Sequence, residues 1–171
     1  ISPSGAQLAR LMLAELPVDA RRVIELGGGT GVFTAALLDH GIRESDLMVV
    51  ELNEELHQHL SQRFPGAHVA CGDARELASL AERCGFAEGG LADAVVSGLG
   101  LLSMSRSTQQ AIVASAFDCM RPGGCFIQFT YGPTCPVGRD VQRALGLQVK
   151  RAGVALWNVP PATVYVFSRA A

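Results

Sequence analysis

The chain has 171 residues, 49% of them hydrophobic and only 18% charged, which suits one domain with a sizeable core and excludes a disordered chain. A formal net charge of -2, with both signs interspersed, gives no global attraction to polyanionic nucleic acid. The five cysteines, Cys71, Cys84, Cys119, Cys125 and Cys135, are odd in number and lack CxxC spacing, so neither a disulfide framework nor a metal site is predicted and a reducing cytoplasm follows.

In chain order, residues 5–16 place Leu8, Leu11, Met12 and Leu16 at helical spacing, with Ser4 as the expected cap and Pro17 as the stop. RRVIEL at 21–26 reads as a short strand running into glycines, and a helical pattern then continues to about His40. The alternation repeats as strand 47–52 and helix 53–63, then strand 67–70 and helix 74–83, then strand 92–97 and helix 106–120. After a turn at Arg121-Pro122-Gly123-Gly124, Cys125–Tyr131 reads as a central strand. Beyond Tyr131 the pattern changes to a short helix over 138–145 and two strand-like runs, 147–152 and 162–168, which predict a terminal hairpin. The expected fold is a single α/β domain over 1–171 with a Rossmann-like, doubly wound, mostly parallel seven-stranded sheet and an antiparallel C-terminal hairpin strand. Within it, 1–16 is the opening amphipathic helix, 21–131 the βα units and 132–171 the hairpin region.

In an open parallel sheet a ligand binds beyond the carboxyl ends of the strands, where strand order reverses, and the first βα loop usually sits there. That loop is Gly27-Gly28-Gly29-Thr30-Gly31. A tight turn alone would explain some of these glycines, but they also let a ligand approach the backbone with no Cβ in the way. A dinucleotide fingerprint requires a third glycine where Val32 stands, so that reading fails. The ELGGGTG run, with Glu25 ahead of the glycines, resembles the first motif of class I S-adenosylmethionine-dependent methyltransferases. Glu51, 20 residues after Gly31 and followed by Leu52, stands at the next strand end, where a carboxylate can accept both hydroxyls of a ribose. It can equally be a solvated carboxylate opening a helix. Gly72-Asp73-Ala74 follows the third strand; in the family resembled, such an aspartate accepts the adenine amine, and Asp73 can also cap the following helix.

Methyl transfer from a sulfonium is an in-line displacement that needs positioning and dryness more than a catalytic dyad. The loop after the fourth strand, Ser97-Gly98-Leu99-Gly100-Leu101-Leu102, should face the methyl group, with Ser97 and Gly98 touching the cofactor through backbone and Leu99 facing the acceptor. It lacks the Asn/Asp-Pro-Pro-Tyr pattern of enzymes acting on base amines, which counts against a nucleic-acid substrate. Leu101 and Leu102 suit either an apolar acceptor or the core.

SGLGLL, RPGGCFIQFTYGPTCPV, WNVPPATVYVFSR and the opening ISPSGAQLAR together resemble the bacterial, Rhodobacter-type phosphatidylethanolamine N-methyltransferase family over nearly the whole chain. Members usually read SGLP where this chain has Gly100. The resemblance implies successive methylation of an ethanolamine head group toward phosphatidylcholine, release of S-adenosylhomocysteine at each step, and no metal. It also implies a phospholipid or membrane surface as partner, with a cytoplasmic enzyme working peripherally at the inner membrane. Tyr131, at the predicted mouth, could face a methylated ammonium with its ring and orient the amine with its hydroxyl, or be a structural aromatic. Trp157 could sit at a lipid interface or pack in the core, and Asn158, Pro160 and Pro161 could fix a pocket wall.

No base for the protonated amine is evident, since His57 and His59 point apart on a helix and His40 and His68 flank turns, all readable as solvated. No apolar run spans a bilayer and no signal peptide is recognised, so lipid is met from outside the membrane. The opening helix could press Leu8, Leu11 and Met12 on lipid or on the core. Ile1 in place of Met predicts a preceding segment. Two further functions remain in view: an enzyme like the rRNA adenine N6-dimethylases, and a protein that binds cofactor without catalysis.

Overall fold

The computed structural model describes residues 3–158 and 160–169. Seven strands are β1 Val23–Leu26, β2 Leu47–Glu51, β3 His68–Cys71, β4 Ala92–Ser97, β5 Met120–Tyr131, β6 Leu147–Ala155 and β7 Ala162–Arg169. Six helices among the described residues are α1 Pro3–Leu13, α2 Val32–His40, α3 Glu54–Arg63, α4 Leu77–Arg83, α5 Arg106–Asp118 and α6 Arg139–Leu145. The sheet order is β3-β2-β1-β4-β5-β7-β6, parallel through β5, with β7 antiparallel to both neighbours. This is the Rossmann-like arrangement the sequence predicted, and the reversal of order falls between β1 and β4.

Both faces of the sheet are covered, which is why its inner strands read as unbroken apolar runs rather than alternating ones. Ile24, Leu26, Met48 and Val50 face one core with Leu77, Leu80, Ile112, Val113 and Val141 of α4, α5 and α6. Their neighbours Val23, Leu47 and Val49 face a second core with Leu8, Met12, Leu37 and Leu60 of α1, α2 and α3. The opening helix therefore turns its stripe inward: Leu8 and Met12 are buried, and Leu11 packs over Gly153 of β6. Leu8 and Met12 are thereby committed to the core, while Leu11 stays half-buried.

The structure corrects several boundaries. Ser4 lies inside α1 instead of capping it, and the helix ends at Leu13, short of Leu16. The 74–83 helix divides into a 3-10 turn, Ala74–Glu76, and α4, because Glu76 leaves helical geometry at φ -111 and ψ 36. Arg121–Gly124 is a bulge inside β5 rather than a turn before it. Ala92 pairs with Met120 and Ala94 with Cys125, so only Asp93 opposes these four residues. Pro122 has no N–H for a ladder, and Gly123 takes a positive φ of 85, so the segment cannot keep regular pairing.

Candidate active site

Register brings the strand ends level: Leu26 pairs with Val50 on one side and Ser97 on the other, and Glu51 pairs with Cys71. Every βα loop the sequence singled out therefore opens on one edge. There a cleft of about 430 Å³ is lined by Gly27, Glu51, Leu52, Asp73, Ala74, Gly98 and Leu99 among the expected residues. Its volume is that of a small-molecule site.

The remaining loop residues build the cleft without lining it. Gly28 is buried, and a Cβ there would stand 2.5 Å from Val49 Cγ1 and 2.8 Å from Leu60 Cδ1, so this glycine lets the loop lie on β2 and α3. Gly31 likewise rests on Phe64 at a φ of +95. Thr30 is exposed, and its carbonyl accepts from Arg63 Nη1 at 3.0 Å. Ser97 is buried, with its Oγ taking the Leu99 N–H at 3.2 Å, so it shapes the next loop from below.

Glu51 ties two elements together. Its Oε1 accepts the Gly29 N–H at 2.8 Å and its Oε2 the Asn53 N–H at 2.9 Å, fixing the glycine loop to the start of α3. A carboxylate offers about four lone-pair positions, so acceptors remain for ligand hydroxyls. Asp73 caps the 3-10 turn by accepting the Arg75 N–H, and the Arg75 guanidinium beside it, at 2.7 Å, holds its carboxyl below the usual range.

Glu25 is buried beneath the loop. Burial pushes its carboxyl up to about 8; a hydrogen bond from the Thr34 hydroxyl to Oε1 pulls the other way and the charge of Glu51 adds to the rise. Its Oε2 is buried without a hydrogen-bond partner. A buried carboxyl oxygen with no donor is costly. Two acidic groups flanking the glycine loop fit a ligand that carries positive charge at one end and ribose hydroxyls at the other, as S-adenosylmethionine does.

The cleft also takes in Gly72 and Gly100 of the loops already singled out, together with Val50, Arg75, Met104, Thr108 and Ile112, which the sequence reading did not name. Thr108 and Ile112, four residues apart, share one face of α5, and Met104 reaches the cleft from the extended residues just before that helix.

Beyond Leu99 lies a second pocket of about 220 Å³, bounded by Gly98, Leu99, Gly100, Leu101, Leu102, Ser103, Phe129, Thr130 and Tyr131. Leu101 is buried and belongs to the core, whereas Leu102 is exposed. Tyr131 is 55% exposed and meets Phe129 edge-on at 5.6 Å, and Phe129 in turn meets Phe33 at 5.8 Å. Both phenylalanines escaped the sequence reading because nothing in their spacing linked α2 to β5. Apart from Tyr131, no side chain lining this pocket ionises.

Trp157 is 70% exposed and Leu156 is exposed beside it, so packing of Trp157 in the core is overturned. Neither lines the pocket, but the pairing of Ala162 with both Ala155 and Tyr131 places their turn on the same edge of the sheet. The Trp157 N–H is held by Gln7 Oε1 at 3.1 Å. Pro161 accepts the Gly132 N–H at 2.8 Å, whereas Val159 lies outside the described residues. His57 and His68 are half-buried with ring nitrogens on the carbonyls of Val69, Cys84 and Ser45, so these two are structural rather than solvated. Among the described residues no cluster of three metal-ligating side chains occurs, and no helix is long and apolar enough to cross a membrane.

A profile of the family described as methyltransferase domain matches residues 23–124. The chain is 31% identical over 137 residues to an ornithine lipid N-methyltransferase of Singulisphaera acidiphila, covering 78% of this chain and 70% of that protein. Among solved structures it is similar to the glycopeptide N-methyltransferase MtfA complexed with S-adenosylmethionine, with a TM-score of 0.72 and 16% identity over 97% of this chain and 94% of that one. It is also similar to DesVI of Streptomyces venezuelae, with a TM-score of 0.68 and 17% identity over 98% and 91% of the respective chains. At such identities the two structures speak to fold alone.

Proposed function

Since the chain belongs to the methyltransferase domain family and is a class I S-adenosylmethionine-dependent N-methyltransferase, its donor is given, and we propose that its acceptor is the amine of phosphatidylethanolamine or its methylated derivatives. The observation that carries this reading is the second pocket: apolar and aromatic, next to the donor cleft, and free of carboxylates. A lipid N-methyltransferase among the relatives supports it.

When bound, S-adenosylmethionine supplies a methyl group on a sulfonium, which a neutral amine can displace in line. Glu51 would take its ribose hydroxyls, Asp73 its adenine amine, and Gly27 and Gly98 would let it lie on backbone, with Ala74 and Leu52 against the ring. Glu25, which burial keeps protonated in the ligand-free protein up to about pH 8, would lose its proton and complement the positive charge of the sulfonium. On the acceptor side an ammonium entering a pocket without a carboxylate loses hydration and gains no counter-ion, which lowers its pKa and favours the neutral nucleophile. The Tyr131 hydroxyl would orient that amine, and the Tyr131 and Phe129 rings offer π faces to the methylated cation that follows. Leu99 forms the wall between donor and acceptor.

Labelled S-adenosylmethionine incubated with phosphatidylethanolamine vesicles, ornithine lipid vesicles, soluble ethanolamine and ribosomal RNA tests the acceptor. Labelled methylated phosphatidylethanolamine is the expected product. Label confined to ornithine lipid would favour the relative's substrate, label in RNA the nucleic-acid reading, and cofactor binding with no product a non-catalytic protein.

Trp157 and Leu156 extend apolar surface beside the mouth, where an interfacial enzyme would rest on its substrate's membrane. Replacing Trp157 by Ser is expected to lower vesicle binding roughly 10- to 100-fold in a sedimentation assay, as loss of about 1.5–3 kcal/mol of apolar contact would, with cofactor affinity unchanged. Equal sedimentation of both proteins would remove Trp157 from the interface.

A further inference from the structure

Leu99 matters to both pockets, yet its loop has little of its own to hold it. Gly98 and Gly100 flank it without side chains; the Gly98 N–H on Leu26 O and the Leu99 N–H on Ser97 Oγ tie its start to β1 and β4, and its remaining backbone bonds only close short turns between Leu99 and Met104. Two fully buried amides reach it from outside. Gln128 of β5 donates from Nε2 to the Leu99 carbonyl at 2.7 Å, and to the Phe129 carbonyl at 2.9 Å. Gln109 of α5 donates from Nε2 to the Leu101 carbonyl at 2.8 Å, with Met104 O at 3.4 Å.

Chemistry fixes the orientation of both side chains. Each Nε2 faces carbonyls, which can only accept, so an amide turned the other way would set oxygen against oxygen. Gln109 Oε1 in turn accepts the Gly138 N–H at 3.1 Å, at the cap of α6. The segment from Gly132 to Gly138 that follows Tyr131 is pinned at its other end by Thr163 Oγ1 on Gly132 O at 2.8 Å and by the Tyr165 hydroxyl on Pro133 O. The donor-acceptor wall and the segment after Tyr131 thus share one anchor.

Buried glutamine is uncommon, and desolvating an amide is unfavourable unless its bonds are made. Gln109 makes them through Nε2 and Oε1, and Gln128 through Nε2 alone, its Oε1 being buried without a partner. Core packing alone would be served by an apolar side chain of the same length at either position. We propose that Gln128 and Gln109 are positioning residues for methyl transfer, together fixing loop 98–104 as the wall that sets the distance between the donor methyl and the acceptor amine. Displacement of reacting groups by about 1 Å can cost on the order of 100-fold in rate, which makes a two-point latch valuable there.

The lipid reading supplies the turnover assay for this role, and a second measurement needs no acceptor. Gln128→Met and Gln109→Met keep side-chain length and remove the amide donors. In the complex with S-adenosylhomocysteine, hydrogen exchange of amides 98–104 is expected to accelerate at least tenfold in each variant, with β1 and β2 unchanged. On the acceptor found by the wild type, kcat per folded molecule is expected to fall roughly 30-fold, while KM and the cofactor Kd stay within threefold. Unchanged exchange in the loop of both variants overturns the proposal. So does a kcat within threefold of wild type, or an activity loss that only follows the folded fraction measured by thermal melting. Absence of any lipid product with wild-type protein overturns the acceptor assignment instead, and the exchange result still decides the latch.

Discussion

Glu25→Gln is expected to make the ligand-free protein more stable at pH 8 than the wild type while weakening its hold on the cofactor. The carboxyl titrates at about 8 when folded and near 4.5 when free, because burial disfavours its charge. Between those values the folded state keeps a proton that the unfolded chain has lost, so stability falls as pH rises. The favourable contribution is fully present below pH 4.5 and gone above pH 8. Over that window the loss is about 4–5 kcal/mol at about 1.4 kcal/mol per pH unit. For a domain of this size, that lowers the wild-type melting temperature by roughly 10 °C between pH 5 and pH 8 beyond any change in the variant. The amide of the variant would keep the hydrogen bond to Thr34 and carry no charge at either pH. A cationic ligand reverses the balance, since it favours the ionised carboxylate. S-adenosylmethionine should therefore bind wild type more tightly at pH 8 than at pH 6, with release of a proton, and bind Glu25→Gln at least tenfold more weakly at pH 8 with little pH dependence. Melting curves and calorimetric titrations in two buffers of different ionisation enthalpy check both halves. Parallel melting-temperature profiles for the two proteins would show that Glu25 is ionised in the fold.

Glu51→Ala should cost roughly 100-fold in affinity for S-adenosylhomocysteine, or about 2.7 kcal/mol. Two charge-assisted bonds to the Gly29 and Asn53 N–H groups disappear, each worth up to about 1.5–3 kcal/mol, although water partly replaces them at this half-exposed position. The ribose loses its acceptors as well. Glu51→Gln is expected to recover little, because an amide has one oxygen where two N–H groups need one each. Isothermal titration measures the change, and an affinity within threefold of wild type would remove Glu51 from the cofactor site.

Much of this was legible because parallel strands buried on both faces write themselves as short apolar runs, and because ligand-bearing loops follow them at regular intervals. Gly27, Glu51 and Asp73 could be named without coordinates, since each stands at a strand end. What stayed hidden depended on contacts between distant segments. No local pattern distinguishes Gly28, which packs under the loop, from Gly27, which opens on the cleft. The Arg121–Gly124 run carries the residues of a turn, and only pairing on either side of Asp93 makes it a bulge. Trp157 is apolar enough for the core, and its exposure follows from its place in a turn between two strands. Gln109 and Gln128 look like ordinary polar residues until their burial and partners are known.

The last strand of the sheet is not its edge. β7 lies between β5 and β6, so the outer side of β5 has no partner until Ala162–Arg169 arrives, long after the cofactor loops have left the ribosome. During synthesis the donor half can gather its own contacts first. The proposed acceptor pocket must wait, because Thr163 and Tyr165, which pin the segment after Tyr131, are on that late strand. Pairing of β7 and closure of the segment beside Tyr131 are thereby made the same event, so the donor cleft and the proposed acceptor pocket are ordered by parts of the sequence made at different times.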